Sequence, residues 1–278
     1  MTGSSGDPVA TITEAEATGE IAALYADIRA TQGVPVVNLI WRHIAVQPGA
    51  LGWAWAALKP LYASGTIDSE ADALRNELTL PVLPAMSRPV LHCAGLTDSD
   101  IARIMMVLQS YERSNAMNMV ALSALLARIE GTAAASRPTG VTGGGGAAID
   151  GTMPPLLGLD DMPPHVRDVV LALNAIGGRT EILASMYRHL ANWPGYLGLI
   201  HTLIAPVEAE GRSEPVIQSV IAEGISRGAK IAGGLAVPQN EPDAATQQAL
   251  GQSLRTFIEG PIGKMITVVP LIRRAMPA

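Results

Sequence analysis

The sequence predicts an all-α fold of two pseudo-symmetric helical repeats joined by a Gly-rich linker. Three observations carry this. Ala, Leu and Met dominate the apolar set, and aromatic residues make up only 4% of the 278 positions. Those residues favour helices, whereas sheets favour β-branched and aromatic side chains. Strand-like alternation is scarce, while helix start and stop signals recur along the chain. Finally, two segments 146 residues apart match residue by residue.

Taken in order, helices are expected over 14–32, 36–47, 49–63, 69–80, 86–95, 98–112 and 115–129. Thr97-Asp98-Ser99-Asp100 reads as a capping box, with Thr97 as N-cap and Asp100 at N3. Asn240-Glu241-Pro242 reads as another helix start, with proline in the first turn. Gly233-Gly234 reads as a helix stop, and Arg273-Arg274 as a helix-end charge pair. Trp53, Trp55 and Trp193 are expected in the core, as are the lone histidines His92 and His201. Cys93 is expected to be a small buried hydrophobe.

The duplication is the most informative feature. Residues 41–65 align with 187–211 without gaps. Arg42/Arg188, His43/His189, Pro48/Pro194, Gly49/Gly195, Gly52/Gly198, Pro60/Pro206 and Gly65/Gly211 are identical pairs. The same offset relates Leu108 to Leu254, Tyr111 to Phe257, Met119 to Met265, Leu125 to Leu271 and Arg128 to Arg274. Between the copies, Gly131 to Asp150 includes the run Gly143 to Gly146, a flexible-linker composition. The run lacks the Lys-Ser/Thr ending of a phosphate loop. The expected organisation is a first repeat over 1–130, a linker over 131–158 and a second repeat over 159–278. A ligand site between the halves follows from the preference of pockets for such junctions.

Composition narrows the function. Hydrophobic residues at 48% and charged residues at 16% indicate a packed globular chain. A net charge of −6 without a basic run argues against nucleic acid as partner. No apolar run is long enough to span a membrane. Residues 1–13 are polar and lack the apolar stretch of a secretory signal. The one cysteine cannot form an internal disulfide. A soluble cytoplasmic protein is therefore the expectation.

Several stretches carry a resemblance. They are Gly19-Glu20 through Asp27-Ile28-Arg29, Val34-Pro35, Pro48-Gly49, Ala184-Ser185, Leu190-Ala191-Asn192-Trp193-Pro194 and Ala205-Pro206-Val207. With the duplication, they make most of the chain resemble the group I DL-2-haloacid dehalogenases. The resemblance implies an all-α fold of two pseudo-repeats with the active site between them. It implies displacement of halide from C2 of short 2-haloacids without metal or organic cofactor. In that family, water attacks directly, activated by an aspartate and an asparagine. The asparagine falls on Asn115. The aspartate position holds Met186, and the family's pocket aromatic after Val-Pro is replaced by Val36, its neighbour by Leu39.

Attack by neutral water needs a base in reach, worth roughly 10²–10⁴-fold, and a thioether cannot take that proton. A substrate carrying its own nucleophile needs positioning instead, worth about 7–11 kcal/mol. The expected function is therefore displacement of halide or sulfate from a saturated carbon of a small acid, free or carrier-linked. Internal closure of a small ring, such as an aziridine, is favoured. Asn115 and Glu112 are the candidate catalytic residues, with Val36, Leu39, Ala184, Ser185 and Met186 lining the substrate. His43 and His189 are candidate bases, and no metal is assigned. Two alternatives stand: a hydrolytic dehalogenase with its base elsewhere, such as Glu112 or Glu181, and a non-catalytic scaffold. Asn115 is also readable as a helix N-cap, and Glu112 as a solvated surface charge. Ser185 is readable as a turn cap, and the Arg-His pairs as relics of duplication. A homodimer or a heteromeric partner is compatible with the composition.

Overall fold

A computed structural model describes residues 7–134 and 147–277. Among them the chain is all-helical, with no strand. The first half holds α1 (Gly19–Gln32), α2 (Leu39–Ile44), α3 (Ala50–Ala63), α4 (Thr66–Asn76), α5 (Arg88–Cys93) and α6 (Asp98–Ile129). The second holds α7 (Pro164–Ala175), α8 (Ser185–Leu190), α9 (Pro194–Ala209), α10 (Ser213–Ile231), α11 (Ala244–Phe257) and α12 (Gly263–Arg274). The Gly143 to Gly146 run lies outside the described residues.

The local signals act as chemistry requires. Thr97 Oγ1 accepts from Asp100 N at 3.1 Å, and Asp100 Oδ2 accepts from Thr97 N at 2.9 Å. This reciprocal cap satisfies two otherwise orphaned donors and starts α6. Three expectations are corrected. First, 98–112 and 115–129 form one helix. Asn115 is therefore a mid-helix residue and no N-cap. The neighbouring Ser114 is buried, its Oγ accepting from Asn38 Nδ2 at 3.0 Å. Second, Asn240-Glu241-Pro242 lies before the helix: α11 starts at Ala244, where the Asp243 side chain accepts from Thr246 N at 2.7 Å. Third, Cys93 and His92 are exposed rather than buried. His92 instead sits 3.3 Å from Asp98 Oδ1. The three tryptophans are buried as expected.

Helix bounds recur along the chain. Shifted by 146, the bounds of α2 become those of α8, and the first residue of α6 becomes the first of α11. The stretch 146 residues on from α6 is broken. A π turn spans Ile258–Ile262, with Gly260 at φ −97°, ψ −113° and Pro261 inside it. Proline removes a donor and crowds the preceding turn, so a break there is expected.

Two cores form, and each draws on both halves. One packs α1 to α4 against the C-terminal part of α6 and against α10 and α11. The other packs the N-terminal part of α6 against α7, α8, α9 and α12. The long α6 thus runs through both. Near its middle, the two cores meet the π break and the starts of α2 and α8.

Candidate active site

A cavity opens at that junction. Its walls are Asn38, Leu39 and Ile40 at the start of α2, and Ala184, Ser185 and Met186 at the start of α8. Tyr111 and Asn115 face it from α6. Phe257, Pro261, Ile262 and Met265 face it from the broken helix. Many walls are matched pairs at the 146-residue offset: Leu39 with Ser185, Ile40 with Met186, Tyr111 with Phe257, Asn115 with Pro261. The cavity is small, with a volume of about 30 Å³.

The walls are mainly apolar, with a few convergent polar atoms. Asn115 Nδ2 is buried and has no hydrogen-bond partner among the described residues, and the same holds for Asn38 Oδ1. Tyr111 Oη lies beside Ser185 without a well-aligned hydrogen bond to it. Ser185 Oγ accepts from Arg42 Nη2 at 3.3 Å. Burial holds the Tyr111 phenol well above its usual range, so it stays a neutral donor. A buried donor without a partner costs about 1–3 kcal/mol unless something fills it. No aspartate, glutamate, lysine, arginine or histidine is among the described lining residues.

Of the sequence-derived candidates, Asn115, Leu39, Ala184, Ser185 and Met186 come together here. Val36 is buried in the core beside them but is not part of the wall. Glu112, one residue round the helix from Tyr111, turns away from the cavity and pairs with Arg273, its Oε1 3.1 Å from Nη2. It is neither a wall residue nor a solvated charge. The histidines lie behind the aromatic walls. His43 stacks on Phe257 with centroids 5.5 Å apart, and His189 packs on Tyr111 at 5.9 Å. Each copy's histidine therefore supports the other copy's aromatic ring. Backbone carbonyls fix both: His43 Nδ1 meets Ala10 O at 2.8 Å, and His189 Nδ1 meets Pro154 O at 2.9 Å. Burial pushes the His189 imidazole down to about 4, so it is neutral near pH 7. Among the described residues, no group of three or more His, Cys, Asp or Glu is arranged to hold a metal ion. No helix there is long and apolar enough to cross a membrane.

Sequence reasoning missed Tyr111, Phe257 and Pro261 as wall residues. The Tyr111/Phe257 pair was visible in the repeat, and Gly260-Pro261 marks the break. What was lacking was a reason to place both at the junction.

Fold and site together define an all-α protein that encloses a small, mostly apolar pocket with a few buried donors. No protein-family model matches the chain. It is 26% identical over 213 residues to a configuration-inverting 2-haloacid dehalogenase of Alcaligenes xylosoxydans xylosoxydans, covering 70% of this chain and 68% of that one. It is 32% identical over 112 residues to an (R)-2-haloacid dehalogenase of Pseudomonas putida, covering 38% and 37% of the two chains. A solved D-2-haloacid dehalogenase in complex with L-LA shares the fold at a TM-score of 0.77 and 17% identity, over 96% of both chains. The chain is thus similar in sequence to 2-haloacid dehalogenases and shares the fold of a solved one.

Proposed function

We propose that this protein is a 2-haloacid dehalogenase-like enzyme that displaces a leaving group, halide or sulfate, from a saturated carbon of a small acid. The attacking atom belongs to the substrate. The observation that carries this reading is the makeup of the cavity wall. Met186 stands where the family resemblance puts the water-activating aspartate, and no lining side chain accepts a proton readily near neutral pH. Donors are present instead: Asn115 Nδ2, Tyr111 Oη and Ser185 Oγ. They suit the acid group and the charge growing on the departing anion.

The step balances simply. A neighbouring amine of the substrate attacks the carbon bearing the leaving group, and a C–N bond forms as the C–X bond breaks. The leaving group departs with the bonding pair, and the nitrogen's proton passes to solvent. The pocket's contribution is to hold the two ends aligned, a term worth about 7–11 kcal/mol. The matched wall positions support reading the halves as pseudo-symmetric copies around the site.

The hydrolytic alternative needs a base. Glu112 is held by Arg273, and Glu181 is exposed. Neutral His189 packs on the Tyr111 ring and is not itself among the described lining residues. The scaffold alternative predicts a filled cavity, whereas unpartnered buried donors argue for a ligand. Halide release from both enantiomers of 2-chloropropionate, beside a Met186→Asp variant, tests the reading. Silence from the unmodified protein with activity in the variant is expected. Release by the unmodified protein would overturn it.

A further inference from the structure

Behind Ser185 lies a buried cluster of charge. Arg42 and Arg188, a matched pair at the 146-residue offset, have side chains only 4% and 1% exposed. The carboxylate of Asp7 reaches both. Its Oδ2 accepts from Arg42 Nη1 and its Oδ1 from Arg188 Nη1, with the side chain fully enclosed. Thr11 Oγ1 also donates to Asp7 Oδ2, at 2.8 Å. Arg188 Nε donates to Leu157 O at 2.6 Å. The segment that carries Asp7 is fastened in place. Ile12 N donates to Arg42 O at 3.1 Å, and Tyr25 Oη donates to Ile12 O at 2.8 Å.

Two buried guanidinium groups repel unless a carboxylate stands between them. Asp7 therefore fixes where Arg42 points, and Arg42 Nη2 points at Ser185 Oγ. The consequence reaches the cavity. A hydroxyl has one proton to give and lone pairs to receive. With a lone pair of Ser185 engaged by Arg42, its O–H is directed away from the guanidinium, to the side where Tyr111 and the cavity lie.

We propose that Asp7 is a positioning residue: by holding Arg42 on Ser185, it sets the Ser185 hydroxyl as a hydrogen-bond donor to the acid group of the bound ligand. This rests on reading the cavity as the site of a small acid. It gives the polar N-terminal segment a part in the site, although that segment contributes no wall residue.

Binding of propionate, an unreactive acid, to the full chain tests the proposal by calorimetry and needs no turnover. Asp7→Asn and Ser185→Ala are each expected to weaken binding about tenfold. The double variant is expected to bind no more than about twofold weaker than Ser185→Ala alone, because Asp7 acts through that hydroxyl. A merely structural aspartate would give additive losses. Should Asp7→Asn fail to fold, Asp7→Glu, which keeps the charge pair but shifts Arg42, is expected to weaken binding about threefold and to spare the Ser185→Ala background. Unchanged binding in a folded Asp7 variant, or additive losses, overturns the proposal. Absence of propionate binding to the unmodified chain overturns the acid-site reading, and the proposal with it.

Discussion

At the scale of single residues, burial decides what each polar group can do. His189 is buried and held neutral, its imidazole pushed down to about 4. In the unfolded chain it binds a proton near 6.5. Between those values the unfolded state holds more protons, so stability falls as pH drops from about 6.5 through 4. That loss is on the order of 3 kcal/mol. Denaturant unfolding at stepped pH checks it, and the His189→Gln variant is expected to lack this part of the acid destabilisation. Asn115 illustrates the opposite trade. Its amide nitrogen is buried without a partner, so Asn115→Leu is expected to leave the melting temperature unchanged or raise it while weakening propionate binding at least tenfold. A lower melting temperature would show that the amide has a structural partner. Much of this scale was legible in the sequence, because Asn115, Ser185, Ala184, Met186 and Leu39 were singled out and do meet at one cavity. Glu112 was misplaced for a physical reason. Adjacent helix positions point about 100° apart, and Arg273 from the other half was there to take the charge.

Helix packing sets the scale above. Gly228 of α10 lies so close to α6 that a Cβ there would stand 2.4 Å from Ser123 Cβ and 2.6 Å from the Ala124 nitrogen. Gly198 of α9 has no neighbour within 4 Å of that position. Gly228→Ala is expected to destabilise by about 1–3 kcal/mol, since backbone cannot yield as a flexible side chain does. Gly198→Ala is expected to be neutral or stabilising by up to about 1 kcal/mol. Thermal melts of the two variants compare them directly. The sequence identified most helices because caps and proline are local signals. Joining 98–112 to 115–129 was missed because Ser114 and Asn115 resemble a cap, and only tertiary burial reveals that their side chains serve the core and the cavity. The π break at Gly260-Pro261 had a local signal, and its role as a cavity wall did not.

Over the whole molecule, the unit of sequence and the unit of packing differ. The matched residues stand at an offset of 146, yet each core takes helices from both sides of residues 131–158. The full chain is therefore expected to unfold in one cooperative transition. Residues 1–130 expressed alone are expected to be unfolded, because α6 would lose α10 and α12 as partners. Circular dichroism of that fragment checks this, and a folded fragment would show that one half holds its own core. The same arrangement puts the cavity where the two cores meet, with its donors supplied mainly by α6 and α8 and with no base among its described lining residues. In the proposed reaction the substrate brings its own nucleophile. Incubation with 3-amino-2-chloropropionate in ¹⁸O-labelled water, followed by mass spectrometry, tests it most directly. Aziridine-2-carboxylate and chloride without ¹⁸O in the organic product are predicted. An ¹⁸O-labelled 2-hydroxy acid as the enzymatic product would contradict the account.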